Sequence, residues 1–299
     1  MKWAVILAGG NGSRLQPLTR VLTGDDRPKQ FCPLLGDTTL LAQTRARVAL
    51  SVDAARSVCV VTRSHEPYYR RELADLRPAQ LVEQPANRGT AAAIAYAVAR
   101  IARQDKKAVI AMFPADHYYE DTETFRRMID QSYVAARQRP DLVYLLGTEP
   151  DCPEVEYGWI EPGNAVEGLD QVAMVRRFWE KPSRPVAEDL LSRGCLWNMF
   201  IMVGSLGAFR SLLYSSVPEM TRTFELIEQF PAAREETVER VYNSLAPVDF
   251  SKEVLAHHTT RTAVVRVPFI GWSDLGRPAR VHSLLTAHGV AGAAHGIAS

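Results

Sequence analysis

The chain has 299 residues, 46% hydrophobic and 23% charged, and its 35 basic side chains against 34 acidic ones leave a formal charge of +1. That is an ordinary globular composition, with enough chain to bury a substantial α/β core. Near-neutrality argues against a protein that coats nucleic acid or an anionic membrane by bulk charge, so an anionic ligand must be met by a local cluster of cations. The opening MKWAVILAGG is too short for a membrane span and lacks a signal-peptide cleavage pattern. Cys32, Cys59, Cys152 and Cys195 form no CxxC pair, which suggests neither a zinc site nor a disulfide framework. A reduced, cytoplasmic protein with buried thiols is the expectation.

In chain order, short apolar β-branched runs at Trp3–Ala8, Val58–Thr62, Val109–Phe113 and Val143–Leu146 predict strands. Between them, helical patterns fall around Leu40–Leu50, Tyr68–Leu73, Thr90–Ala102 and Thr124–Ala136. Runs apolar on both faces imply a parallel sheet covered by helices. After Cys152 the pattern changes. Glu154–Glu161 and Val172–Trp179 read as antiparallel strands, Val186–Ser192 as a short helix and Phe200–Val203 as another strand. Phe209–Tyr242 reads as several helices broken at Pro218 and Pro231. A last strand, Thr262–Pro268, leads into Gly271-Trp272-Ser273-Asp274, and the small-residue tail after Ala287 is expected to fray.

The first strand runs into Leu7-Ala8-Gly9-Gly10-Asn11-Gly12-Ser13-Arg14-Leu15. Glycines directly after a strand let backbone N–H groups come close to phosphates. The P-loop pattern fails, because five residues after Gly9 comes Arg14 in place of its second glycine, and no Lys-Ser/Thr pair follows. The dinucleotide fingerprint fails too, with Leu15 in place of its third glycine. What remains is a glycine loop ending in an arginine, followed by Arg27-Pro28-Lys29-Gln30-Phe31; Arg14 and Lys29 are the candidate triphosphate contacts. A side chain at Gly12 should hinder nucleotide binding more than folding. Asp116 follows an apolar strand at its carboxyl end, where open α/β sheets bind ligands. Asp274 lies in a second turn after a strand. A capping or turn role would account for either aspartate alone; together, two such carboxylates also suit Mg²⁺, which takes few protein ligands. His117 reads as a hydrogen-bonded orienting residue.

GGNGSRLQPLT and PKQF together resemble the sugar-phosphate nucleotidyltransferases, especially the mannose-1-phosphate guanylyltransferase type. Further matches follow in order: Glu83–Ala91, Phe113–His117, Glu156–Glu161, Trp179–Pro182, Leu196–Asn198 and Gly271–Gly276. The resemblance implies a Rossmann-like (GT-A-like) α/β fold, with a mostly parallel central sheet, helices on both faces and a small antiparallel sugar-binding subdomain. Within one nucleotidyltransferase domain it implies a nucleotide-binding half, 1–151, and a sugar-phosphate-binding half, 152–287, before the tail, 288–299. It makes Leu7, Ala8, Gly9, Gly10 and Gly12 nucleotide contacts, with Asn87, Arg88, Gly89 and Thr90 near the base. Asp116 and Asp274 become the metal ligands. Lys181 meets the sugar phosphate, Glu180 accepts bonds from sugar hydroxyls, and Tyr157, Gly158 and Asn198 complete the sugar contacts. Trp179, Trp197 and Trp272 are expected in core or pocket wall. One departure stands out: after Trp197-Asn198 the family usually has Ser-Gly, whereas this chain has Met199-Phe200. No extra C-terminal domain of the kind some relatives carry is expected.

The implied reaction is Mg²⁺-dependent transfer from a nucleoside triphosphate, GTP favoured, to a sugar-1-phosphate, mannose-1-phosphate favoured, releasing pyrophosphate. The chemistry needs cations, because two unit charges ~4 Å apart repel by roughly 4 kcal/mol at an effective dielectric of 20. It needs no base, because a phosphate monoester is largely dianionic above its second pKa near ~6. No nucleic-acid or membrane partner is expected, and homo-oligomerisation is left open. Another nucleotide or hexose, or a non-catalytic nucleotide-sugar-binding regulator, are the alternatives; Leu15 disfavours a dehydrogenase.

Overall fold

The computed structural model describes residues 1–230 and 234–287; the expected tail and the break at Pro231 lie outside them. The strands are β1 (Lys2–Leu7), β2 (Ser57–Thr62), β3 (Leu81–Gln84), β4 (Val109–Pro114), β5 (Val143–Thr148), β6 (Gly158–Ala165), β7 (Val172–Glu180), β8 (Leu196–Ser205) and β9 (Thr262–Val267). The helices of the first half are α1 (Gln16–Thr23), α2 (Leu40–Ala49), α3 (Glu66–Tyr69), α4 (Gly89–Gln104) and α5 (Thr122–Gln138). The second half adds α6 (Arg184–Ser192), α7 (Leu206–Ser216), α8 (Pro218–Gln229), α9 (Arg234–Ser244), α10 (Phe250–Glu253) and α11 (Pro278–Ala287).

The strands form one sheet in the order β3-β2-β1-β4-β8-β5-β9-β7-β6. From β3 to β4 it is parallel, as the apolar runs predict. Beyond β4 it is mixed: β8 runs antiparallel between β4 and β5, β5 and β9 are parallel, and β7 and β6 are antiparallel. The antiparallel strands therefore extend the central sheet rather than forming one of their own. Alternation sorts the side chains, with Trp3 and Val5 facing the α4 side and Ala4 and Ile6 the α2 and α5 side. The Ala-rich α4 is buried from Ala91 to Ile101 and packs closely on the sheet.

Several sequence expectations need correcting. α1 and β3 carry no strong pattern; β3 is a four-residue strand at the sheet edge, with alternate residues only partly buried. The helix expected over Tyr68–Leu73 is a single turn, Glu66–Tyr69, followed by non-helical turns. Glu154–Tyr157 is loop, and β8 is far longer than Phe200–Val203. Cys152 is exposed, in the loop after β5, while the other three cysteines are buried. Among the described residues no helix is long and apolar enough to cross a membrane.

The site is placed by topology. β1 is flanked by β2 on one side and β4 on the other, the arrangement that opens a crevice at the carboxyl ends of the strands. Leu7 pairs level with Pro114, and the Ala115 N–H donates to the Leu7 carbonyl at 3.1 Å, so the glycine loop and Asp116 emerge side by side. A lone antiparallel bridge between Tyr118 and Ser273 then draws the Gly271–Asp274 turn against Asp116 and His117.

Candidate active site

The glycine loop is pinned from beneath. The Gln30 amide donates to the carbonyls of Ala8 (2.9 Å) and Gly10 (2.8 Å), and the Thr62 hydroxyl donates to the Gly9 carbonyl at 3.0 Å. A Cβ on Gly9 would stand 2.6 Å from the Gln84 amide, whereas one on Gly10 would meet nothing within 4 Å. Gly10 therefore presents bare backbone to open space. Gly12 has φ +60°, and a Cβ there would lie 3.1 Å from the Lys29 nitrogen, so its glycine also serves the turn itself.

A second loop faces the first. The Asn87 side chain accepts the Gly89 N–H at 2.9 Å, a local turn at the start of α4. Gly89 has φ +80° and abuts the Val248 carbonyl. Arg88 turns its guanidinium to the Tyr242 carbonyl (2.7 Å), and the Thr90 hydroxyl accepts the Phe250 N–H at 2.8 Å. These contacts tie the loop to the 242–250 segment.

Between the loops lies a cleft of about 210 Å³, lined by Leu7, Gly9, Gly10, Gln30, Gln84, Asn87, Gly89, Thr90, Ala93, Pro114, Asp116, His117 and Phe200. Cavities of 550 and 450 Å³ lie elsewhere. Volume is the poorer guide here, because the smaller cleft holds the convergent glycine backbone and the carboxylate. Of the expected nucleotide residues, Leu7, Gly9, Gly10, Asn87, Gly89 and Thr90 line it; Ala8, Gly12 and Arg88 support it from behind.

Lys29 links the two aspartates. Its buried ammonium lies 3.2 Å from Asp116 Oδ2 and also donates to the Asp274 main-chain carbonyl. Asp274 is enclosed: its Oδ1 accepts from the Tyr157 hydroxyl (3.1 Å), the Gly276 N–H (2.8 Å) and Arg280 (2.6 Å). Burial alone would raise its pKa, yet His117, Lys29 and Arg280 together hold it below the usual carboxylate range. Burial pushes the His117 imidazole down to about 4, leaving it neutral near pH 7, and its Nδ1 accepts the Trp272 indole N–H at 3.2 Å. Arg14 is half exposed and points to Glu156 (2.9 Å), not into the cleft.

The sugar candidates gather one step away. Gly158 and Glu180 are cross-strand partners, and a Cβ on Gly158 would lie 3.0 Å from Glu180 Oε2 and 3.3 Å from the Asn198 Cβ. The missing side chain leaves room beside both. Burial, reinforced by Asp249, raises Glu180 to about 7, against the opposing pull of Lys181. Lys181 is exposed, with φ +48°, its N–H held by the Tyr157 carbonyl at 3.2 Å. Tyr157 packs edge-on against Trp197 and tilted against Trp272, with ring centroids 5.0 and 4.8 Å away, so these two tryptophans form wall and core as expected.

Sequence reasoning missed a chain of ion pairs around Asp274: Arg280 also reaches Glu154, and Arg277 lies 3.3 Å from Glu156, the partner of Arg14. The available signal was two arginines three residues apart just after the Gly271–Gly276 motif. Gln30 and Gln84 were also missed as individual cleft residues, and the Gln30 carbonyl oxygen is buried with no hydrogen-bond partner.

Known proteins resemble this chain in sequence and fold. The family model described as "Nucleotidyl transferase" matches residues 3–289. The mannose-1-phosphate guanylyltransferase ManC of Salmonella typhimurium is 32% identical over 92% of this chain and 57% of its own length. The alginate biosynthesis protein AlgA of Pseudomonas fluorescens is 30% identical over 91% of the chain and 56% of its own length. The chain thus spans about half the length of the curated relatives it matches. A solved structure from Thermus thermophilus, described as a mannose-1-phosphate geranyltransferase, superposes with a TM-score of 0.81 at 31% identity, over 94% of this chain and 79% of that one. A UDP-glucose pyrophosphorylase structure, at 16% identity and TM-score 0.60 over 97% of this chain and 99% of that one, shares the fold. With its glycine loop, its paired aspartates and a family match running almost from end to end, the chain belongs to the nucleotidyl transferase family.

Proposed function

We propose that the protein transfers a nucleotidyl group from a nucleoside triphosphate, GTP in preference, to mannose-1-phosphate, giving a nucleotide sugar and pyrophosphate. The observation that carries this reading is a cleft lined by glycine backbone and Asp116, with Lys29 joining that carboxylate to the Asp274 turn beside it. In it the half 1–151 takes the triphosphate and the half 152–287 the sugar phosphate. A phosphate oxygen of the sugar-1-phosphate attacks the α-phosphorus as the bond to the β-phosphate oxygen breaks, and pyrophosphate leaves. Lys29 neutralises charge on the triphosphate, and the glycine-loop N–H groups donate to its oxygens. Lys181 meets the second anion, Glu180 and Asn198 orient the sugar, and Arg14 reaches the phosphates by exchanging its Glu156 partner.

Among the described residues no group of three or more His, Cys, Asp or Glu side chains converges. Mg²⁺ nevertheless fits the donors present, since it accepts two carboxylates and completes its shell with phosphate oxygens and water. Asp274 Oδ1 is saturated by three donors, so Oδ2 is the oxygen it would offer beside Asp116. The ion, when bound, would supply positive charge against the negative charge that develops on the phosphates. Action in the cytoplasm on small molecules alone, without nucleic acid or membrane, completes the reading.

A matrix of nucleoside triphosphates against sugar-1-phosphates, followed by pyrophosphate release, tests it. Turnover strongest with GTP and mannose-1-phosphate is expected. Tight nucleotide-sugar binding with no pyrophosphate from any pair would favour a regulator instead.

A further inference from the structure

Phe200 occupies a position where its own chemistry is unexpected. It lies within β8 with φ +55°, left-handed backbone that a bulky aromatic residue rarely adopts. β8 pairs Met202 with Leu145 and Asn198 with Gly147, so the segment between carries extra residues opposite β5 and bulges. Met199 and Ile201, on either side, are fully buried in the core against α5. Strand alternation puts Phe200 on the opposite face, where it backs onto the α4-side core and, at the bulge, lines the cleft with Leu7, Gln84, Asn87 and Thr90. Its N–H is held by the Asn198 side chain at 3.2 Å. The resemblance expects glycine here. The chain keeps the backbone shape that glycine tolerates and adds a ring.

We infer that Phe200 is a binding residue for the nucleoside part of the triphosphate, its ring forming an apolar platform across the cleft from the two loops. Strained residues cluster where function requires them, and a bulge that aims a side chain into a cleft is a common device. The ring faces the nucleoside and not the hexose, because its cleft neighbours come from the glycine loop, the Gln84–Thr90 segment and the Asp116 turn. None of Tyr157, Gly158, Glu180, Lys181 or Asn198 lines that cleft. Stacking on an aromatic face is tolerant of base identity, so the ring contributes affinity more than choice of base.

The inference rests on the proposed function, and calorimetric titration with GTP and Mg²⁺, without sugar phosphate, tests it. Phe200→Leu keeps apolar bulk but loses the π-face and should bind GTP about tenfold more weakly. Phe200→Tyr should bind within about twofold of the unsubstituted protein. Phe200→Gly should lose at least as much affinity as Phe200→Leu while melting no lower, since glycine relieves the backbone; this separates binding from folding. GTP affinity unchanged in both Phe200→Leu and Phe200→Gly would overturn the inference and leave the proposed function standing. A loss falling on the KM for mannose-1-phosphate alone would also overturn it. If the unsubstituted protein bound no nucleoside triphosphate, both readings would fall together.

Discussion

Glu180 shows how burial and charge at one residue set a pH dependence. Burial and Asp249 raise its pKa from an ordinary 4.5 to about 7, and only the ionised carboxylate accepts from two sugar hydroxyls at once. Under the proposed function, the KM for mannose-1-phosphate should therefore fall as pH rises through about 7. Glu180→Gln should remove that component, leaving only the titration of the phosphate itself. Stability moves the opposite way. Between 4.5 and about 7 the folded state keeps a proton that the unfolded chain has released, so stability falls as pH rises through that window and is level above it. Thermal melts should show Glu180→Gln gaining on the parent from pH ~4.5 to ~8; parallel melting curves would place the carboxyl in water. Lys29 makes the complementary case. Its buried ammonium serves Asp116 and the Asp274 carbonyl, and a lost charge-assisted contact to phosphate is worth roughly 1.5–3 kcal/mol. Lys29→Ala should lower kcat/KM about ten- to more than a hundredfold. A folded variant retaining parental kcat/KM would remove the ammonium from the reaction.

At the scale of elements, the glycine loop divides into glycines that shape the turn and one that faces the ligand. A side chain on Gly12 meets both a positive φ and the Lys29 backbone, and one on Gly9 meets the Gln84 side chain, whereas Gly10 has open space. A Gly12 substitution, expected to hinder binding more than folding, therefore also strains the turn, and Gly10 is the cleaner probe. Gly10→Ala should leave the melting temperature within a degree or two yet weaken nucleotide binding at least fivefold, because a methyl intrudes where phosphate approaches backbone. Unchanged affinity would make the loop a plain turn. The same contrast explains what was legible in the sequence. β1, β2, β4 and β5 were readable because each holds a run of consecutive apolar residues buried on both faces. β3 was not, because an edge strand needs only half its side chains apolar. The middle of β8 was not, because a bulge has no periodic signature and Phe200 offers no glycine to mark it. Asp116 and Asp274 could be singled out by position after strands, but their union through Lys29 depends on the Tyr118–Ser273 bridge, a long-range pairing that local pattern does not encode.

For the molecule as a whole, one link between the sheet-covering α4 and α8 is a buried ion pair. Arg100 donates to Glu228 at 2.7 Å with both side chains at most 4% exposed, and the same guanidinium bonds the carbonyls of Pro78 (3.1 Å) and Leu81 (2.9 Å). Removing one charge strands the other in a low dielectric, a loss of about 3–5 kcal/mol, while replacing both with apolar groups is often far milder. Glu228→Leu should therefore cost ~3–5 kcal/mol of unfolding free energy in denaturant titration. Adding Arg100→Met should recover much of that, but not all, because two backbone carbonyls then lose their donor at about 1–3 kcal/mol apiece if no water replaces it. Arg100 stands eleven residues along α4 from Gly89, about 16 Å at roughly 1.5 Å per residue, so the cleft lies at the far end of the same rod. The KM values of the folded fraction should therefore match the parent in both variants. If instead nucleotide affinity fell in step with stability, the helix would be transmitting the α8 contact to the Asn87–Thr90 loop, and the pair would belong to the function as well as to the fold.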